Sequence, residues 1–87
     1  MILIDEAVWP AHDTLWGHLV SDTSLDELHA FARAAGIPAR GFDNDHYDYP
    51  LRRREELIAQ GAVPVTGREL LRRLQAAGLR VKQVDKT

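Results

Sequence analysis

Cysteine is absent from this chain, which excludes a disulfide or a thiolate metal site as the means of holding it together. A bound metal would have to take imidazole and carboxylate ligands. Long apolar runs are missing too: the opening Met1-Ile2-Leu3-Ile4 meets an acid at Asp5 and has no basic flank, too short for a signal peptide or a membrane span. The expectation is a cytoplasmic protein that does not engage a membrane. There is no extended basic run, and a sequence pI of about 6.0 argues against a dedicated binder of duplex DNA, whose phosphate contacts need a broad positive face. No serine or threonine sits in a recognisable nucleophile context, which argues against a covalent mechanism.

The chemistry-bearing residues that are present are unevenly placed. All four histidines (His12, His18, His29, His46), both tryptophans (Trp9, Trp16) and both tyrosines (Tyr47, Tyr49) fall in the first 49 residues. Residues 1–48 carry nine acids against two arginines, and residues 49–87 carry four acids against nine basic residues, so a −7 half and a +5 half hide inside a net charge of −2. That polarity suggests a site for a metal ion, a phosphorylated ligand, or both. A chain of 87 residues, 45% hydrophobic and 28% charged, is expected to form one soluble globular domain spanning 1–87.

Three amphipathic stretches end in Gly36, Gly61 and Gly78, each followed by a hydrophobe that can fold back on the last turn. Ser24-Leu-Asp-Glu27 and Thr66-Gly-Arg-Glu69 read as capping boxes that start the first and last helices. Leu25, Leu28, Phe31, Ala32 and Ala35, and later Leu70, Leu71, Leu74 and Ala77, recur at helical spacing. The middle helix is expected from Pro50 through Leu57 and Ile58. Strands are expected at Ile2 to Asp5, Ala39 to Phe42, Ala62 to Val65 and Arg80 to Val84, the last at an edge. The alternation predicts an α/β fold: a small, mainly parallel sheet of about four strands with three helices, in the order β-α-β-α-β-α-β.

In such a sheet, ligands bind beyond the carboxyl ends of the strands, where loops lead into helix N-termini. Asp5 would end the first strand and open a loop of about 18 residues bearing Trp9, His12, Trp16, His18 and Asp22, a length that commonly marks function. Asp43 would end the second, followed by Asn44, Asp45, His46, Tyr47 and Asp48; Thr66 and Arg68 follow the third, and His29 sits about one turn into the first helix.

The run Trp9-Pro-Ala-His12, then Trp16-Gly-His18-Leu-Val-Ser21-Asp22, Glu27-Leu-His29-Ala-Phe31-Ala and Asp45-His46-Tyr47-Asp48 resembles the small bacterial domain-of-unknown-function family 4031. The likeness extends through Val63-Pro-Val65 and Arg68-Glu-Leu-Leu, almost the whole chain. It implies a bacterial or phage-borne soluble domain, sometimes joined to enzymatic domains, and no particular chemistry. Members tend to carry Gly after the first histidine, where this chain has Asp13.

Several chemistries compete for these residues. His12, His18 and His46 with Asp45, or with Asp5, Asp22, Asp43 or Asp48, offer a mixed nitrogen and oxygen shell suited to zinc, manganese or iron, although no spacing is a known ligand signature. The plainer alternative has Asp48 capping the middle helix, Asp22 supporting the first capping box and the histidines bonding loop backbone. His46 with Asp45 or Asp48, or His18 with Asp22, can also serve as a metal-free proton shuttle. Arg52, Arg53 and Arg54 can hold a phosphate or simply pair with Glu55 and Glu56; Arg68 is the better-placed anion contact. Trp9 and Trp16 can stack a planar ligand or close the core. The resulting reading is a pocket that binds a phosphorylated or nucleotide-like ligand with a divalent metal, and metal-assisted phosphoester hydrolysis as the reaction. Asp5, His18, Asp45 and His46 would hold the ion or activate water. Trp9, His12, Trp16, Asp22, His29, Tyr47 and Asp48 would line the pocket, and Arg53 or Arg68 would neutralise phosphate. The alternative is a non-catalytic ligand- or protein-binding accessory module that dimerises through an edge strand.

Overall fold

The computed structural model describes residues 1–81. The elements are β1 (Ile2–Ile4), β2 (Trp9–Ala11), β3 (Thr14–Ser21), α1 (Leu25–Ala34), β4 (Phe42–Asp43), β5 (His46–Pro50), α2 (Arg54–Ala59), β6 (Val63–Pro64) and α3 (Gly67–Ala76), with single 3-10 turns at Ala39–Gly41 and Leu51–Arg53. The protein is mixed α/β with three helices, as expected. Its sheet is not mainly parallel. Six strands run in the order β4-β5-β3-β1-β6, with β2 also on β3, and among the described residues only β1 and β6 pair in parallel.

Tight hairpins produce this difference. The expected long loop after Asp5 is instead the β2–β3 hairpin, which turns at His12 and Asp13 with φ of 49° and 63°. Two positive φ values in succession are the backbone that fits the twist of an antiparallel pair. A second turn, with Asn44 at φ 62°, joins β4 to β5. The expected strand from Ala39 shrinks to Phe42–Asp43 after a 3-10 turn, and Pro50 ends β5 rather than opening the middle helix. Asp48 therefore lies in a strand and caps nothing. Of the expected last strand, Arg80 and Val81 lie outside any strand, and the rest falls outside the described residues.

The first and last helices begin and end as their signals require, whereas the middle one starts at Arg54 after a 3-10 turn. Ser24 Oγ accepts from Glu27 N at 3.1 Å, and Thr66 Oγ1 accepts from Glu69 N at 3.0 Å. The return half of the first capping box differs: Ser24 N donates to Ser21 Oγ at 3.1 Å, while Glu27 bonds Ser21 Oγ. At Gly36, φ of 76° lets Ile37 N reach back to Ala32 O at 2.8 Å and close the last turn of α1.

The two sheet faces carry different cores. Ile2, Ile4, Leu19, Tyr47 and Tyr49 pack under Leu28 and Ala32 of α1 and Leu57 of α2. On the other face Leu3 and Val20 meet Leu70 and Leu74 of α3. Side chains alternate along β3, so Trp16 and His18 share the face of Val20, and the register sets His18 opposite Asp48 of β5. Among the described residues no helix core covers that part of the face: α3 packs only over Leu3 and Val20. The fold thus leaves a half-covered sheet face bearing imidazole, carboxylate and indole groups beside one helix.

Candidate functional site

Asp5 follows β1, where the chain departs from the regular ladder. Ile4 faces Leu19 and Trp9 faces Trp16, so the stretch between them holds two residues more than β3 does. Asp5 N still donates to His18 O at 3.2 Å, but the Asp5 carbonyl is taken by the Tyr49 hydroxyl at 2.5 Å and by Arg54 Nη1 at 2.8 Å. The Asp5 side chain takes the vacant place: Oδ1 accepts from His18 N at 2.5 Å, and Oδ2 lies 2.8 Å from His18 Nδ1. Asp5 is only 6% exposed. Burial of the Tyr49 hydroxyl, against the opposing pull of Arg54, keeps its pKa raised and the group a donor.

His46 opens β5 beside an equally buried acid. Asp45, 1% exposed, places Oδ1 2.7 Å from His46 Nδ1 and accepts at Oδ2 from Val81 N at 2.8 Å and Arg80 Nη1 at 3.2 Å. Burial alone would raise the Asp45 pKa; the Val81 amide, His46 and Arg80 outweigh it, and the pKa is lowered. On the other side of the ring, Asp48 Oδ1 stands 3.2 Å from His46 Nε2 as an ion pair. That oxygen is buried and makes no formed hydrogen bond. Burial of His46 favours its neutral form, but Asp48 and Asp45 together overcome this and push the pKa up to about 9.

The two histidines meet edge to face with ring centroids 5.1 Å apart. One ligand atom each from His18, His46 and Asp48 lie within 4.8 Å of one another. Nδ1 of each ring is occupied by a buried carboxylate, which leaves Nε2 of His18, and Nε2 of His46 once an ion replaces the proton it directs at Asp48, as the atoms to offer. A carboxylate behind a ligating histidine fixes tautomer and orientation and raises ligand basicity. Two nitrogens held from behind by Asp5 and Asp45, and one oxygen held only by its pairing with His46, suit zinc, manganese or iron(II) and leave coordination positions open. A cavity of about 260 Å³ adjoins the cluster, with Asp5, His18, Asp45, His46 and Arg80 on its polar side and Val20, Leu70, Leu71 and Leu74 on its apolar side. Gly67, at the start of α3, lines it too; a Cβ there would lie 3.8 Å from Asp5 Oδ2.

The structure thus brings Asp5, His18, Asp45, His46 and Asp48 together, on a sheet face beside α3. Trp9, Trp16 and His12 form an adjoining aromatic row. His12 is exposed against Trp16 and is not among the clustered ligand atoms. The other expected residues lie elsewhere. His29 bonds the Tyr47 hydroxyl at 2.7 Å, on the core side of the sheet. Asp22 pairs with Arg73 at 2.5 Å, and the Arg53 guanidinium is held by Glu56 and the Ala35 carbonyl. Arg68 is exposed in the first turn of α3, next to Gly67.

Arg80 and Arg54 are the contributors that sequence reasoning missed. Arg80 looked like the start of an edge strand, and Arg54 like one of three equivalent surface arginines. No local signal distinguishes them, because each acts through an acid more than thirty residues away in sequence: Arg54 at the Asp5 carbonyl, Arg80 at the Asp45 carboxylate.

Comparison with known proteins agrees with the motif resemblance. The family model described as protein of unknown function, DUF4031, matches residues 2–77, and the chain belongs to that family. Neither the curated proteins nor the solved structures return a match. Among the described residues no helix is long and apolar enough to cross a membrane.

Proposed function

We propose that this member of DUF4031 binds a divalent metal ion through His18, His46 and Asp48 and hydrolyses a small phosphorylated or nucleotide-like ester in the adjoining cavity. The observation that carries the reading is the matched pair of buried carboxylates: Asp5 on Nδ1 of His18 and Asp45 on Nδ1 of His46, at 2.8 and 2.7 Å. Burying two acids costs folding free energy unless each is fully bonded. Each acid divides its oxygens: one bonds a main-chain amide, of His18 or of Val81, and the other orients an imidazole in the same cluster.

A divalent ion would polarise the phosphoryl oxygens and lower the pKa of bound water toward neutrality. Asp5 holds the His18 ring so that Nε2 presents a lone pair. Asp45 does the same for His46 and is itself kept ionised by Arg80 and the Val81 amide. Arg80, at the cavity wall, has guanidinium donors beyond those it gives Asp45 and Val81, and these can meet the charge that develops on the phosphoryl group. Leu70, Leu71 and Leu74 of α3 supply most of the apolar lining.

Hydrolysis of bis(p-nitrophenyl) phosphate and p-nitrophenyl phosphate by metal-stripped protein, with zinc, manganese or iron(II) added back singly, tests the reading. Turnover that one metal restores, and that both His18→Ala and His46→Ala abolish while still folding, supports it. Metal uptake without turnover on any ester would leave a metal-dependent binding module and reject hydrolysis.

A further inference from the structure

Beside the His18, His46 and Asp48 cluster, the β2–β3 hairpin lays four rings in succession. His12 meets Trp16 edge-on with centroids 6.5 Å apart, Trp16 stacks with Trp9 at 6.1 Å, and Trp9 lies 6.2 Å from His18. Neither tryptophan belongs to either hydrophobic core. The two indoles are anchored unequally. Trp16 Nε1 donates to the Ala11 carbonyl at 2.9 Å, whereas the Trp9 N–H is buried with no acceptor. Trp9, Ala11, His12, Trp16 and Asp48 enclose a depression of about 210 Å³. Asp48 is common to this depression and to the cluster, so the two adjoin.

We propose that this depression is the ring subsite of the centre, and that the phosphoester it takes carries a heteroaromatic ring of the kind a nucleotide presents. The inference rests on the hydrolytic reading above and names its substrate class. A ligand whose phosphoryl group sits at His18 and His46 would have its ring one ring-width away, over Trp9 and Trp16. Stacking supplies affinity for any flat base.

The test uses the whole chain and two probes that share a phosphate, adenosine 5′-monophosphate and ribose 5-phosphate, with intrinsic tryptophan fluorescence and calorimetry as readouts. Adenosine 5′-monophosphate is expected to quench the fluorescence saturably and to bind at least about ten-fold more tightly than ribose 5-phosphate. Trp9→Ala is expected to erase that preference with metal content unchanged, and Trp9→Phe to retain most of it. Equal binding of the two probes, binding of neither, or a preference that survives in a folded Trp9→Ala variant would overturn the subsite. The parent reading fails separately: a chain without metal or turnover that still prefers the base-bearing probe keeps the ring subsite and loses the hydrolytic centre.

Discussion

Asp5 grips His18 twice, once at the main-chain amide at 2.5 Å and once at ring nitrogen Nδ1 at 2.8 Å. One acid thereby sets both the backbone and the ring of a residue proposed as a metal ligand. Asp5→Ala leaves the amide and the ring nitrogen without their partner and should cost about 1 to 3 kcal/mol of stability by chemical denaturation. Asp5→Asn can keep one of the two bonds and should be milder. Both should weaken zinc binding by about 10- to 100-fold in a calorimetric titration. His29→Ala, on the other side of the sheet, should leave zinc affinity unchanged.

The grip depends on Gly17. A Cβ at that position would stand 2.6 Å from Tyr49 Cε1, and Tyr49 is fully buried with its hydroxyl on the Asp5 carbonyl. Gly17→Ala must push the ring or β3 aside and should destabilise the fold by about 1 to 3 kcal/mol in urea unfolding. Unchanged stability would mean that Tyr49 does not pack there.

Asp13 occupies a left-handed position, φ 63°, a conformation that glycine adopts without strain. Asp13→Gly relieves side-chain crowding there while adding freedom to the unfolded chain. The net expectation is a gain of about 0.5 kcal/mol, read as a small rise in melting temperature with the metal affinity unaltered.

The pH dependence of metal-free protein follows from the Asp45–His46 pair. The folded pKa of His46 is about 9, raised above its ordinary 6.5, so its stabilising contribution is complete below about 6.5 and is lost as pH rises through 9. Asp45 is shifted the other way: its contribution is present above its ordinary 3.8 and disappears as pH falls through the lowered folded value. Denaturation midpoints of the stripped protein should therefore decline from pH 6.5 to 9, and His46→Gln should flatten that decline. A midpoint that rises over this interval in the stripped wild type would contradict the pairing.

The helices were legible because their signals are local. Ser24 and Thr66 cap, and Gly36, Gly61 and Gly78 stop, within the segments they bound. The sheet was legible only in part: β1 and β6 fall inside the expected strands at Ile2 to Asp5 and Ala62 to Val65. His46-Tyr47-Asp48-Tyr49 does alternate polar with buried aromatic residues, but the site face of β3 and β5 carries Trp16, His18, His46 and Asp48, residue types that read as loop. The turn at His12 and Asp13 hid for a related reason, since neither residue is the glycine that normally marks a positive φ pair. The site residues Asp5, His18, Asp45 and His46 stood out by type, but their meeting place did not. It lies on the face of a mixed sheet that α3 leaves half open, and the Arg54 and Arg80 supports arise only when distant segments close on Asp5 and Asp45.

The central claim is that His18, His46 and Asp48 share one divalent ion, and anomalous diffraction from a zinc-soaked crystal addresses it most directly. The account predicts one strong peak about 2.0 to 2.2 Å from Nε2 of His18, Nε2 of His46 and a carboxylate oxygen of Asp48, with Asp5 and Asp45 still on the two Nδ1 atoms. A crystal with no peak there, and with His46 still held between Asp45 and Asp48, would contradict it.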